Sequence, residues 1–337
     1  MKRFGVSVIG VGAISESAHI PNLLKIPASK IVSICDIRKE RLQLMGDRFN
    51  ITKRFADYRD AIDDKETDVV VVATDAPSHA KIVLSALERA KPVFVEKPLT
   101  INVADAEKIV KTARLKKIPL MVGYQLRFLP NHRKVKELMR NGEIGDIYTA
   151  HVRAETLVIK EKETLLIDYG THFFDLIRYY FDNDHIVSIS GQLTLNKKGL
   201  QVGSSTLIKF ESGIHANIEA YWLPNFNWGV VDRTLEILGS NGKISTKMSG
   251  PDIRIWRASS FRDRLLGPQV FLPKEAVSSY TPLSDYCYHE ELRSFFDCLV
   301  NGKDMPINAE DGLKALKIAD YTLKSHLADQ KFRGLKL

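Results

Sequence analysis

The sequence predicts a doubly wound α/β domain followed by an α+β domain with a mainly antiparallel sheet. Three observations carry that expectation. The chain has 337 residues, and single hydrophobic cores rarely grow past about 250 residues, so two domains are expected. The first third alternates short, nearly all-apolar runs with helix-length amphipathic segments. After Gly123 the pattern changes to strand-like runs joined by tight turns.

In the first part, Val6 to Ile9, Ile31 to Cys35, Val69 to Ala73, Val93 to Val95 and Leu120 to Val122 are short and β-branched. Such runs suit strands buried on both faces of a parallel sheet. Ser78 to Ala90 and Ala104 to Lys116 have helical patterning between them. Strictly alternating elements predict a Rossmann-like sheet with helices on both faces. The domain boundary is expected at 123/124, giving one domain of residues 1–123 and a second of residues 124–337.

In the second part, Asn131 to Arg140 reads as a helix stopped by Asn141-Gly142, and Thr171 to Phe181 as another. Thr206 to Phe210 and His215 to Tyr221 flank Ser212-Gly213. Thr234 to Leu238 and Lys243 to Thr246 flank Asn241-Gly242, a strong hairpin signal. Residues 259–284 read as a long loop. Helices are expected at Tyr286 to Val300 and Ala309 to Ala328, the last a candidate to pack back on the first domain.

The formal charge is +8, from 49 basic and 41 acidic residues. The basic residues are spread along the chain, which reads as a solvated surface with some lean toward anionic substrates, not as a nucleic-acid footprint. Cys35, Cys287 and Cys298 have no C-x-x-C spacing, and no Cys/His cluster suggests a metal. The apolar stretch after the basic N-terminus is too short for a signal peptide and is interrupted by glycines, and no run is long enough to span a membrane. A cytoplasmic protein with reduced thiols is expected.

The first strand runs into Gly10-Val11-Gly12-Ala13-Ile14-Ser15, a G-x-G-x-x-S sequence one residue away from the dinucleotide fingerprint. Gly10 permits the tight turn and Gly12 a close approach to pyrophosphate. Backbone at Ala13 and Ile14 opens the helix whose positive end faces that charge. Ser15 is small enough to replace the third glycine. Asp36, 21 residues past Ser15, ends the second strand. A carboxylate there suits the ribose hydroxyls of NAD and repels the 2′-phosphate of NADP. Arg38, two residues on, is able to soften that choice. NAD is the expected cofactor.

Three further segments complete a pattern: Thr74-Asp75-Ala76-Pro77-Ser78-His79, Val95-Glu96-Lys97-Pro98-Leu99, and Asp168-Tyr169-Gly170-Thr171-His172-Phe173-Phe174-Asp175. In order and spacing, together with the Gly10 loop, they resemble the Gfo/Idh/MocA family, the glucose–fructose oxidoreductases and inositol dehydrogenases. The resemblance spans nearly the whole chain. It implies a Rossmann domain, a large second sheet, a nicotinamide ring in the cleft between them, and oxidation or reduction of one carbon of a sugar, inositol or nucleotide-linked sugar. It also implies subunit pairing through the second sheet, expected at the 205–256 strands as a homodimer or homotetramer, and a cis bond at Lys97-Pro98.

Removing hydride from a carbinol carbon requires the hydroxyl proton to leave. His172 has the side chain for that base, and Asp168, four residues earlier, is placed to orient it or to bind the same hydroxyl. Lys97 offers positive charge where the alkoxide develops, and reaches toward the nicotinamide ribose. The resemblance assigns these three positions as the catalytic group. Glu96 is read as binding the cofactor ribose or placing Lys97; Thr74, Pro77 and His79 as flanking the cofactor. Tyr124, Arg127, Arg153 and Asp175 are candidate substrate contacts. His151, Arg153, Lys160, Lys162 and Arg233 raise the prospect of an anionic substrate. Lys160-Glu161-Lys162-Glu163-Thr164 departs from the small glycines many family members carry before the catalytic Asp, so the loop there is expected to differ. Two other readings stand beside a dehydrogenase: a relative that uses NAD transiently in hydrolysis or elimination, and a cofactor-sensing protein without turnover. Accumulation of free NADH with substrate separates them.

Overall fold

The computed structural model describes residues 2–157, 164–182, 184–223, 233–247, 252–258, 261–272 and 283–330. Lys160, Lys162 and the rest of the atypical 160–163 stretch lie outside these. Contacts divide the chain into two units, one formed by Met1–Gln125 with Ser284–Leu316, the other by Leu126–Leu283 with the chain from Lys317 onward.

The first unit holds six strands, β1 (Phe4–Ile9), β2 (Ser29–Cys35), β3 (Arg54–Phe55), β4 (Val69–Val72), β5 (Val93–Glu96) and β6 (Leu120–Gly123). They lie in the order β3-β2-β1-β4-β5-β6, and every pairing is parallel. All four residues of β4 and of β5 are buried, as the valine-rich runs require. The crossovers are α1 (Ile20–Leu23), α2 (Lys39–Arg48), α3 (Tyr58–Asp63), α4 (His79–Glu88) and α5 (Val103–Lys116). Asn102 caps α5, its Oδ1 accepting the Asp105 N–H at 2.8 Å, and Lys117 ends it in a left-handed conformation. Register brings Ile9 beside Cys35 and Val72, and Glu96 beside Gly123. The residues just past these strands, Gly10, Asp36, Thr74, Lys97 and Tyr124, therefore gather at the carboxyl edge of one sheet, where α/β folds bind their ligands. Residues 284–316 return to this unit, and the Val122 N–H donates to the Ile307 carbonyl at 3.0 Å.

The second unit opens with α6 (Pro130–Arg140), then β7 (Ile147–Thr156), α7 (Thr171–Tyr180), β8 (Ile186–Leu195), β9 (Gln201–Phe210), β10 (His215–Trp222), β11 (Arg233–Gly239), β12 (Gly242–Lys247), β13 (Ile253–Arg257), α8 (Phe261–Leu266) and β14 (Gln269–Phe271). The eight strands run in the order β14-β13-β12-β11-β7-β10-β9-β8, all neighbours antiparallel except β7 and β10. Both hairpins expected at Ser212-Gly213 and Asn241-Gly242 form. Two helices follow, α9 (Leu283–Asn301), which belongs to the first unit, and α10 (Ala309–Gln330).

The second half of α10 packs on β8. A Cβ at Gly191 would lie 2.4 Å from Thr322 Cγ2, so only glycine permits this approach. The Gly191 N–H donates to Ser325 Oγ at 3.1 Å. Two expectations need correction. The stretch 259–284 is not one long loop, since it contains α8 and β14. Strands β7 and β8 were not read from sequence. In β7 the inward residues are small, Ala150, Val152 and Ala154, between His151, Arg153 and Glu155, and β8 is interrupted by Ser190-Gly191-Gln192. Neither run looks apolar until its neighbours cover one side.

Candidate active site

The Gly10 loop leaves β1 through a left-handed turn, with φ +90 at Gly10, and a Cβ there would lie 2.5 Å from the Ala73 carbonyl oxygen. A Cβ on Gly12 would meet only an Arg38 nitrogen at 3.9 Å, so the face of this peptide is open. Ser15, at the third motif position, is buried and donates to the Gly10 carbonyl at 2.6 Å. It ties the loop to the first turn of Ser15–His19, which is wound as a π-helix, a geometry common near functional sites. Ala13 and Ile14 stand at the outer rim of this turn, Ala13 exposed.

Asp36 is buried at the end of β2. Its Oδ2 accepts the Val11 N–H at 3.0 Å, linking the loop to the neighbouring strand. Burial alone would raise its carboxyl, but hydrogen bonds from the Arg38 side chain and backbone and from Val11 outweigh it and hold the group below the usual range. Arg38 Nε and Nη2 each donate to Asp36 at 3.1 Å, while most of the Arg38 side chain is exposed. Arg41, which sequence reasoning passed over, donates from Nε to the Val11 carbonyl at 2.6 Å and pairs with Glu16. An open glycine face, a helix start and a strand-end carboxylate fit a dinucleotide.

The 74–79 segment is held rigidly. Ser78 Oγ donates to Thr74 Oγ1 at 2.6 Å, and Pro77 is exposed. His79 is fully buried, its Nδ1 2.8 Å from the Pro98 carbonyl and its Nε2 2.9 Å from the Thr74 carbonyl. Burial pushes its pKa down, so a neutral ring donates to one carbonyl at a time. His79 thus straps the segment after β4 to the one after β5. There the Lys97–Pro98 bond is cis. Glu96 is buried, with Oε1 2.8 Å from His19 Nε2 and Oε2 accepting the Lys97 N–H at 3.1 Å. Lys97 is half-buried, and Tyr124, past β6, is fully buried.

In the second unit, Leu166–Gly170 forms a second π-helical turn that runs directly into α7. It places buried Asp168 just before that helix and half-buried His172 in its first turn. Tyr169 and Phe173 lean on the His172 ring at centroid distances of 6.5 and 6.3 Å. Arg127 and Asp175 meet each other, Nε to Oδ2 at 2.7 Å and Nη2 to Oδ1 at 2.5 Å, a two-pronged and nearly buried pair. Arg153 pairs with Glu155 at 2.7 Å, and His151 is exposed.

Two family models match the chain in sequence. The Gfo/Idh/MocA oxidoreductase model, described as an NAD-binding Rossmann fold, covers residues 4–124, and the Gfo/Idh/MocA C-terminal domain covers 132–245. The chain belongs to the Gfo/Idh/MocA family. As a member it is an NAD-dependent oxidoreductase. It is 26% identical to the myo-inositol 2-dehydrogenase of Thermotoga maritima, over 98% of each chain. It is 27% identical to a scyllo-inositol 2-dehydrogenase (NAD(+)) of Bacillus subtilis, over 92% of each. In fold it resembles a levoglucosan dehydrogenase solved with NADH and L-sorbose, with a TM-score of 0.88 at 21% identity over 98% of each chain.

Next to Asp168 the Gfo/Idh/MocA chain forms contacts that the sequence did not show. Tyr169 donates from its hydroxyl to the Glu155 carbonyl at 2.8 Å, Arg233 Nε donates to the same carbonyl at 3.1 Å, and the Arg233 guanidinium lies 5.7 Å from the Tyr169 ring. Burial pushes the Tyr169 phenol up to about 12. Trp222, packed with Leu165 and Ala220, keeps a buried Nε1 that finds no acceptor among the described residues. Glu155 is a charged side chain that is buried where strand alternation from Ala150, Val152 and Ala154 would leave it outward, so no sequence signal pointed to these contacts.

Proposed function

We propose that this protein is an NAD-dependent dehydrogenase for a secondary hydroxyl of a cyclitol or sugar-like substrate, with Lys97, Asp168 and His172 as its catalytic residues. The observation that supports this best is the helix start at α7, where a π-helical turn sets buried Asp168 one turn before half-buried His172. His172 takes the hydroxyl proton, and Asp168 orients the ring or the same hydroxyl. Lys97 offers a cation to the developing alkoxide. Bound NAD supplies the hydride acceptor. Gly10, Gly12, Ala13 and Ile14 receive its pyrophosphate, and Asp36 its adenosine ribose. Thr74 and Pro77 flank it, His79 and Glu96 keep those segments in place, and Arg38 sets the tolerance for NADP.

Relatives named inositol dehydrogenases support the cyclitol class, and a fold neighbour solved with NADH and L-sorbose supports a sugar-like one. Arg127 and Asp175 serve the site as a supporting pair, while Arg153 and Tyr124 stay candidates for substrate contact. We further propose a homodimer or homotetramer assembled through the 205–256 strands. Three buried cysteines in no disulfide support a cytoplasmic setting, and no helix among the described residues is long and apolar enough to cross a membrane. The test is NADH formation across inositols, sugars and nucleotide sugars at 340 nm, the wavelength at which NADH alone absorbs. Turnover of none of them would overturn the reading.

A further inference from the structure

The guanidinium of Arg41 holds two successive peptides of the Gly10 loop. Arg41 lies in the first turn of α2, five residues past Asp36. Its Nε donates to the Val11 carbonyl at 2.6 Å and its Nη2 to the Gly12 carbonyl at 3.3 Å. Nη2 also donates to Glu16, in the Ser15–His19 turn, and Glu16 accepts from Arg48 as well. One half-buried side chain therefore joins α2, two loop peptides and the turn that follows them.

A trans peptide is planar, with its C=O and N–H on opposite sides, and both peptides here are trans. The Val11 carbonyl shares a peptide with the Gly12 N–H, and the Gly12 carbonyl shares one with the Ala13 N–H. Holding both carbonyls toward Arg41 turns both N–H groups the other way. The two preceding N–H groups are already engaged, that of Gly10 with the Cys35 carbonyl at 2.8 Å and that of Val11 with Asp36 Oδ2 at 3.0 Å. The Glu16 N–H closes a helical turn on the Gly12 carbonyl at 3.1 Å, so the Gly12 and Ala13 N–H groups stand ahead of that turn and have no acceptor within it. Successive N–H groups aimed to one side at a helix start form a seat for phosphate.

Resting on the reading that the Gly10 loop receives the pyrophosphate of NAD, we propose that Arg41 is a positioning residue for cofactor binding, which holds the Val11 and Gly12 carbonyls and so aims the Gly12 and Ala13 N–H groups at that pyrophosphate. The seat is set before the cofactor arrives, and binding does not have to order it. The fork of the guanidinium does this, not its charge alone. A lysine ammonium is a point charge on a flexible stem and lacks the planar fork that spans two carbonyls. Glutamine removes the charge and donates from a single nitrogen.

The test is titration calorimetry of NAD and of ADP, which carries the diphosphate without the nicotinamide half, on the unaltered protein, Arg41→Gln, Arg41→Lys and Gly12→Ala. Arg41→Gln should raise the Kd of both ligands by about 10-fold or more, the worth of a hydrogen bond to a charged group, and Arg41→Lys should retain most of that loss. In turnover, KM for NAD should rise while kcat at saturating NAD stays, since the loop holds the cofactor and not the reacting carbon. An unchanged Kd in Arg41→Gln, full recovery in Arg41→Lys, or a loss seen with NAD and absent with ADP would each overturn the proposal. If Arg41→Gln does not fold, Arg41→Lys decides, weakened binding supporting the proposal and unaltered binding overturning it. Gly12→Ala tests the loop reading separately, because its Cβ would come no closer than 3.9 Å to the protein and would obstruct only a ligand. Unchanged binding in Gly12→Ala overturns the loop reading and the proposal with it; weakened binding there beside unchanged binding in Arg41→Gln overturns the proposal alone. If no substrate turns over, the dehydrogenase reading falls by itself, and the titrations still decide Arg41.

Discussion

At the scale of single residues, His172 and Asp36 make the sharpest predictions. If His172 is the base, His172→Ala lowers kcat by about 100-fold or more, the usual span of general acid–base catalysis. NAD affinity, read by fluorescence titration, stays as it was, because the phosphate loop lies in the other unit. Near-full activity in that variant would transfer the role to Asp168. Asp36 poses a subtler case, since its carboxylate already holds Arg38 by hydrogen bonds from Nε and Nη2. Asp36→Ala removes the charge that repels a 2′-phosphate and at the same time frees a guanidinium to bind one. The ratio of NADP to NAD affinity should rise by about 10-fold, some 1.4 kcal/mol. Asp36→Ala combined with Arg38→Ala should lose the gain in NADP binding. Equal affinity for both cofactors in the unaltered protein would overturn the role of Asp36.

At the scale of elements, α6 and α7 are joined by a buried histidine that titrates out of its normal range. His132 Nδ1 lies 2.6 Å from the Tyr180 hydroxyl, and burial brings its pKa down to about 3. An unfolded histidine gains its proton near pH 6.5, whereas the folded one stays neutral down to about pH 3. Between those values the unfolded state binds more protons. The contribution of His132 is therefore complete above about pH 6.5 and is lost as the pH falls toward 3, at up to about 1.4 kcal/mol per pH unit. His132→Phe, although it lacks the bond to Tyr180, should show a shallower fall of melting temperature from pH 6.5 to pH 4. A parallel fall in both proteins would exclude His132 as a source of acid instability. A smaller effect is expected at the cap of α5, where Asn102→Ala should cost about 1 kcal/mol of stability in urea melts.

At the scale of the whole molecule, the second sheet sets the expectation for assembly. One face buries Ala150, Val152, Ile208, Ile218, Leu235 and Ile244. On β9 the alternate position Leu207 is exposed, as are Val187 and Leu195 on β8. Sheets of this size need cover on both faces, and a second copy of the chain is the proposed cover. Light scattering at micromolar concentration should give a dimer or tetramer, with Leu207→Glu shifting it toward monomer. A monomer in the unaltered protein would contradict the proposal.

The sequence by itself determined the five main strands of the first unit, but not that residues 284–316 return to it. Its strands are buried on both faces, so their apolar runs are visible one residue at a time, and Gly10, Gly12 and Asp36 sit at positions dictated by local turn geometry and local charge. The order of Glu96-Lys97-Pro98 and Asp168…His172 was equally legible, because both motifs are contiguous. Only tertiary structure decided the rest. Strands β7 and β8 become strands because neighbouring strands pair with them and α10 packs on β8 at Gly191, and no local pattern announces that. The partners of site residues were also hidden: Arg127 with Asp175, 48 positions apart, Glu96 with His19, 77 apart, and Arg233 with the Glu155 carbonyl, 78 apart. Glu291 is the extreme instance. In sequence it is one charged residue of an amphipathic helix, and only folding buries it completely, with neither carboxyl oxygen meeting a hydrogen-bond partner among the described residues.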